Sequence, residues 1–248
     1  MSATDRARAA WLWSRRDGVL AGLSASAMLG AKWIDADEPA VLIHTNRRPP
    51  RLITVRSDIL LASESQLIDG MSVTTPARTA FDLGRRLGLE EGVKRVDALM
   101  NATDVKVNDI DAIAVRHRGV RGLRQLRQTL DLVDGGAESH YESLTRLLLI
   151  QAGFPRPQTQ IPVTDEYGVV VARIDIGWPE YLVGVDFEGA HHWTDPRQWR
   201  WDAERYSLLP ELGWFDVRVT SGMVHNSPRR FLDRVGRALI ARGCPKTW

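Results

Sequence analysis

The chain has a single cysteine, Cys244, among its 248 residues. One cysteine excludes an internal disulfide framework and any cysteine-based zinc site. A hydrophobic leader is also missing: Ala9 to Trp13 is apolar, but Arg15 and Arg16 follow directly. No apolar run approaches transmembrane length. Neither internal repeats nor low-complexity segments occur. Charge of one sign is lacking too, with 33 Lys and Arg against 31 Asp and Glu and a formal net charge of +2. Any affinity for nucleic acid must therefore come from local patches. What is present, 44% hydrophobic and 26% charged residues, fits a soluble globular protein, cytoplasmic by default. The length suits one large domain or two ordinary ones.

In the front half the sequence predicts a helix over residues 4–16, with Ala7, Trp11 and Leu12 buried and Asp17-Gly18 ending it. Ser24 is the expected N-cap of a short second helix. Residues 40–45 and 52–56 read as strands, joined by a basic turn that carries Arg47, Arg48 and Arg51. Thr74-Thr75-Pro76 opens a helix running to about Leu87, and further helices follow over residues 89–100, 107–115 and 122–133. Arg118, Arg121, Arg124 and Arg127 recur every third residue, a stripe that suits phosphate contact or an ordinary solvated helix face. Asp134-Gly135-Gly136-Ala137 is the best linker in the chain.

Behind it lies an expected helix from Glu138 to Gln151, with Glu138 and Glu142 four apart on one face. A strand over residues 158–163 leads to the stretch around which this half is organised, Val170 to His192. Its two arms, 170–177 and 181–188, read as a β-hairpin with Pro179 in the turn. A turn centred on Pro179 and Glu180 sets Asp175 opposite Gly184 and close to Asp186. Alternation of side chains then gathers Asp175, Asp186 and Glu188 on one face, with His191 and His192 just beyond. Crowded carboxylates raise one another's pKa and repel unless a cation sits among them, and hard oxygen ligands suit Mg²⁺ or Mn²⁺. The bland alternative is a solvated hairpin face. Beyond the hairpin, a helix opened by Thr194 carries Gln198, Asp202 and Arg205. It is strained in its last turn by Pro210 and ended by Gly213. A strand over residues 214–220 and a final helix from Pro228 to about Arg242 follow. Six of nine tryptophans lie from Trp178 onward; Trp193, Trp199 and Trp201 flank the acids and suit base stacking or core packing.

These residues carry two resemblances. Glu138-Ser139 with Glu142-Ser143, Arg173-Ile174-Asp175 and Asp186-Phe187-Glu188-Gly189-x-x-His192 occur in that order. Asp202-x-x-Arg205, Leu212-Gly213-Trp214 and Val217-Arg218-Val219 follow. Together they resemble a bacterial family related to very-short-patch-repair endonucleases, within the PD-(D/E)XK nuclease superfamily. Thr74-Thr75-Pro76-x-Arg78-Thr79-Ala80-x-Asp82-Leu83 resembles the front region of AbiEi-type antitoxin-like proteins, which often begin with a winged helix; this chain is expected to start after most of it.

The implied fold is α/β: a restriction-endonuclease-like mixed sheet flanked by helices over 138–243, preceded by a mainly helical α+β domain over 1–133. The implied activity is metal-dependent hydrolysis of DNA phosphodiesters. Asp175 and Asp186 would hold Mg²⁺ or Mn²⁺ with the Phe187 carbonyl, and Glu142, or less readily Glu138, would complete the site. Glu188 stands where many members have Lys, and Ile174 replaces the usual Pro. Glu188 would orient or deprotonate water or bind a second metal. His192, or more weakly His191, would act as general acid or bind phosphate, unless the pair merely caps the hairpin. Arg205 and Arg218, with Arg121 and Arg124, are candidate DNA contacts; the alternative for the first two is pairing with Asp202 and the site acids, which suits Arg205 equally well. The alternative function is a catalytically altered nuclease-fold DNA-binding or antitoxin-like regulatory protein with a protein partner. No membrane partner is implied.

Overall fold

The computed structural model describes residues 1–46, 48–188 and 208–248. The chain divides into two compact units, Met1–Glu138 and Ser139–Trp248. Each is built from helices and a mixed sheet, an α/β arrangement.

In the first unit α1 (Ala3–Trp13) is capped by Ser2, whose hydroxyl accepts from the Asp5 amide while Asp5 accepts from the Ser2 amide. Ala7 and Ala10 face the core, whereas Leu12 is exposed; small residues, not the expected Leu12, let the helix approach the sheet. Positive φ at Arg15 and Arg16 ends it. Helix α2 (Gly22–Met28) starts two residues before the expected cap, with Ala21 as N-cap. Ser24 is instead buried, its hydroxyl accepting from the Val41 amide at 2.9 Å.

Five strands form the sheet, in the order β3-β2-β1-β5-β4. They are β1 (Val19–Leu20), β2 (Ala40–Ile43), β3 (Ile53–Arg56), β4 (Ser65–Ile68) and β5 (Met71–Thr74). Only β2 and β3 are foreseen from the sequence, so the unit has more strand than expected, while its helices fall close to where they are expected. β4 and β5 form a hairpin closed by Asp69 and Gly70, both at positive φ. That Asp-Gly pair is a legible turn signal, since a two-residue turn of this hand needs left-handed backbone at both positions.

Four helices complete the unit: α3 (Pro76–Arg86), α4 (Leu89–Ala102), α5 (Val107–Arg116) and α6 (Leu123–Leu132). Thr75 caps α3, and Pro76 takes its first position, where no amide partner is needed. Phe81, Val96, Leu99, Ile110, Ile113 and Leu126 form the helical core. Gly122 precedes α6 at φ 93°; a Cβ there would meet the Arg85 carbonyl oxygen at 2.1 Å, so only glycine allows this approach. Arg118 and Arg121 lie ahead of α6, and only Arg124 and Arg127 belong to it. The arginines do not form one helical stripe, because the turn at Gly119 and Gly122, both at positive φ, interrupts the period. The expected linker is tied to α4. The Asp134 amide donates to Asp97 Oδ1 at 2.7 Å, Asn101 Nδ2 donates to the Gly135 carbonyl at 3.1 Å, and Ala137 is buried.

In the second unit α7 (His140–Gln151) precedes the sheet β6-β7-β8-β9. The strands are β6 (Gln158–Thr164), β7 (Val170–Trp178), β8 (Val183–Glu188) and β9 (Phe215–Thr220). β6, β7 and β8 are antiparallel neighbours; β8 and β9 run parallel. Helices α8 (Ser221–Asn226) and α9 (Pro228–Ala241) end the unit. One core layer joins Leu149, Ile176, Trp178, Val183, Val185, Val217, Val219, Phe231 and Leu239. A second gathers Ile161, Val163, Ala172, Ile174, Leu209 and Trp214. Apolar layers of both kinds bury β8, which is why Val183–Asp186 is buried without alternation.

Candidate functional site

The polar features that the sequence singles out fall into one cluster in each unit. In the first, the motif Thr74–Leu83 builds a buried ionic network. Arg78, Asp82 and Arg85 sit on one face of α3, at steps of four and three residues. Arg78 is 1% exposed, Asp82 4%, and Glu64, on the short 3₁₀ turn Ala62–Glu64, 0%. The guanidinium of Arg78 donates to Asp82 Oδ2 at 2.8 Å, to the Ile59 carbonyl at 2.9 Å and to Glu64. His117 Nε2 lies 2.8 and 2.9 Å from the two Glu64 oxygens, so it carries the proton. Arg85 donates to Asp82 Oδ1 at 2.6 Å and to Asp58 Oδ1 at 3.0 Å, and Arg86 joins Asp58. Each buried charge thus meets an opposite one, as burial requires.

Burial pushes the Glu64 carboxyl up, but the hydrogen bonds from His117, Arg78 and the Leu61 amide outweigh it and hold it below its ordinary value. Burial likewise lowers Arg78, and the charges and hydrogen bonds of Asp82 and Glu64 raise it further than that. A depressed carboxylate adds stability above its unfolded pKa of about 4.3 and loses it as pH falls through the folded value. The melting temperature of the wild type should therefore drop as the solution is acidified below about pH 4.3. Glu64→Gln should melt lower at neutral pH and narrow the gap to wild type in that acid window. A constant gap across the titration would remove Glu64 from the linkage.

In the second unit the hairpin register differs from expectation by two residues. Trp178 pairs with Val183, Gly177 with Gly184 and Ile176 with Val185. Pro179–Tyr181 forms a 3₁₀ turn and Leu182 takes φ 51°, so the connection is longer and centred later than Pro179-Glu180. The shift brings Asp175 level with Asp186 and not with Gly184. There the carboxylates take main-chain amides of the neighbouring strand. The Asp175 amide donates to Asp186 Oδ1 at 2.9 Å, and the Phe187 amide donates to Asp175 Oδ2 at 2.9 Å. Asp186 is 1% exposed. Arg218 pairs with Asp186 in the strand register, while its guanidinium reaches Glu188 at 3.2 Å and Asp216 at 3.8 Å.

Glu142 belongs to the first turn of α7, where Ser139 caps the helix and accepts from the Glu142 amide. Its Oε2 accepts from Gln160 Nε2 at 3.2 Å, and Glu142 is buried. Glu138 precedes the helix and is exposed, so it does not share a helical face with Glu142. Gln160, on β6 at φ 51°, escapes sequence reasoning; its link to Glu142 appears only once α7 and β6 are packed. His191, His192, Trp193, Trp199, Trp201, Asp202, Arg205 and Arg47 lie outside the described residues.

Among the described residues no three His, Cys, Asp or Glu side chains are grouped to hold a metal ion. Asp175, Asp186 and Glu142 supply oxygen donors of the right kind for Mg²⁺ or Mn²⁺ but do not by themselves make a three-ligand cluster. No helix among the described residues is long and apolar enough to cross a membrane.

Residues 20–132 match the AbiEi antitoxin C-terminal domain. That span holds the motif Thr74–Leu83 and every member of the buried network. The chain is also similar to two curated Mycobacterium tuberculosis proteins, the uncharacterized proteins MT2308 and Rv2248. Each is 31% identical over 174 residues, covering 70% of this chain and 64% of the relative. The chain thus spans less than two thirds of their length. No solved structure matches it. The domain match stays within the first unit.

Proposed function

We propose that the protein is an antitoxin-like regulatory protein that binds DNA without cutting it. The observation that carries this reading is the match of residues 20–132 to an antitoxin domain, a span within which Arg78, Asp82 and Glu64 close into a buried network. Binding would be largely electrostatic, drawing on exposed cations such as Arg124 and Arg127 of α6. Such binding weakens steeply as salt rises, because each phosphate contact releases condensed counterions. Fluorescence anisotropy with duplex DNA across a salt series should show this dependence. Arg124→Glu with Arg127→Glu should lower affinity by about tenfold and flatten the slope. Absence of binding at low salt would refute the DNA-binding part.

A second reading, metal-dependent DNA hydrolysis, is supported by a different observation: Asp175 stands beside Asp186 on the neighbouring strand. Incubation with supercoiled plasmid and Mn²⁺, with EDTA as control, separates the two. The regulatory reading expects intact plasmid and no metal-induced rise in melting temperature. Nicking that EDTA and Asp186→Asn both abolish, together with a Mn²⁺ stabilisation that the variant loses, would replace it by the nuclease reading. Asparagine keeps an acceptor for the Asp175 amide, so the variant should fold.

A further inference from the structure

Two cavities of the first unit share Arg56 and Arg86 in their walls. One, of about 370 Å³, is lined by Arg56, Arg85, Arg86, Arg121, Gly122 and Gln125. The other, of about 240 Å³, is walled mainly by apolar groups, among them Leu23, Pro39, Val41, Leu83 and Leu87, with Glu38 beside them and Asp58 and Asp82 at the side of the arginines they hold. Both approach the scale of small-ligand sites, about 300–1,000 Å³.

The charges around the first cavity are unbalanced. Asp58 and Asp82 hold Arg85 and Arg86 in place. Arg56 and Arg121 make no ion pair among the described residues, although both line the same opening. Burial, followed by the charge of Arg85, lowers Arg86 from its ordinary value, and Arg56 contributes to the same repulsion. Guanidiniums crowded in this way gain most from a multivalent anion, and their planar forks suit the oxygens of a phosphate. The apolar cavity next door accommodates a flat uncharged body, with the Glu38 carboxylate available to accept from its amino or hydroxyl groups.

We infer that the two neighbouring cavities together bind a phosphate ester of nucleoside size, the phosphate on Arg56, Arg86 and Arg121 and the nucleoside-like body between Leu23, Val41 and Leu87. The free mononucleotide and the terminal phosphate of a nucleic acid share this chemistry. Neither the antitoxin-like reading nor the nuclease reading requires the site.

The test is calorimetric titration of the full chain with AMP, adenosine, inorganic phosphate, and one oligonucleotide in 5′-phosphorylated and 5′-hydroxyl forms. AMP should bind at least about tenfold more tightly than phosphate or adenosine. Arg56→Ala with Arg121→Ala should weaken it by about tenfold or more without changing the melting temperature, because neither side chain holds the fold by an ion pair. Arg124→Glu with Arg127→Glu should leave AMP binding unchanged, which separates this site from general DNA attraction. A phosphorylated oligonucleotide that exceeds its hydroxyl form by the same factor, with the same loss in the double variant, also sustains the inference and names a nucleic-acid end as the source. The inference fails if neither phosphate ester binds better than inorganic phosphate. It fails equally if the double variant binds as the wild type does.

Discussion

Arg78→Ala should destabilise the first unit by about 3–5 kcal/mol, the cost of stranding buried charges whose partner has been removed. Glu64 and Asp82 are 0% and 4% exposed, and both accept from this guanidinium; without it Glu64 keeps His117, and Asp82 keeps Arg85 and Arg86. The cost is in the desolvated carboxylates left behind, not in the attraction lost. The triple change Arg78→Met, Glu64→Gln and Asp82→Asn should therefore cost less than Arg78→Ala alone, since it removes these three charges together and leaves Arg85 its pair with Asp58. Chemical denaturation of the wild type, the single variant and the triple variant gives the comparison. A loss within about 1 kcal/mol for Arg78→Ala would show that water reaches the site and that the network contributes little. The expected result makes the motif Thr74–Leu83 a structural hub. It ties α3 to the 3₁₀ turn at Glu64 and through Glu64 to His117 at the end of α5, while Arg85, just past the motif, reaches the Arg121 carbonyl before α6. An antitoxin-like function would then use the surfaces this hub positions, not the motif's own side chains.

Trp178→Ala should cost the second unit about 3–5 kcal/mol through the cavity left by the largest buried side chain in its core. Its Nε1 also donates to the Pro155 carbonyl at 2.9 Å, a bond that alanine cannot replace. Trp178→Phe keeps most of the volume and loses only that bond, so it should cost closer to about 1–2 kcal/mol. Equal losses for the two variants would mean that the hydrogen bond and not the packing dominates. The consequence reaches the acids. Trp178 closes the pairing that runs through Gly177–Gly184 and Ile176–Val185, and that register sets Asp175 level with Asp186. Loosening it should separate the two carboxylates before the unit unfolds. Hydrogen exchange at the amides of Asp175 and Phe187 reads this directly, because each donates to a carboxylate of the opposite strand.

Much of the architecture is written in local chemistry. Thr75 and Pro76 set the start of α3 because a capping hydroxyl and a residue without an amide suit the first turn and nowhere else in a helix. The β-rich runs on either side of Pro179 give a hairpin in any context, and Asp69-Gly70 would have given another. The one cysteine and the balanced charge were decisive as exclusions. What the tertiary structure alone decided are the meetings of distant groups. Glu64, Arg78 and His117 are separated by 14 and 39 residues, and nothing local marks them as partners. Their pairing follows from burial, which leaves a charge no solvent and therefore demands an opposite charge within reach. The same holds for Gln160 on Glu142. In the hairpin a single left-handed residue, Leu182, lengthened the turn and moved the register by two, which carried Asp175 from Gly184 to Asp186. A strand pattern fixes which face a side chain occupies, because alternation is local. Only the closed turn and the packed sheet fix which side chain stands beside it.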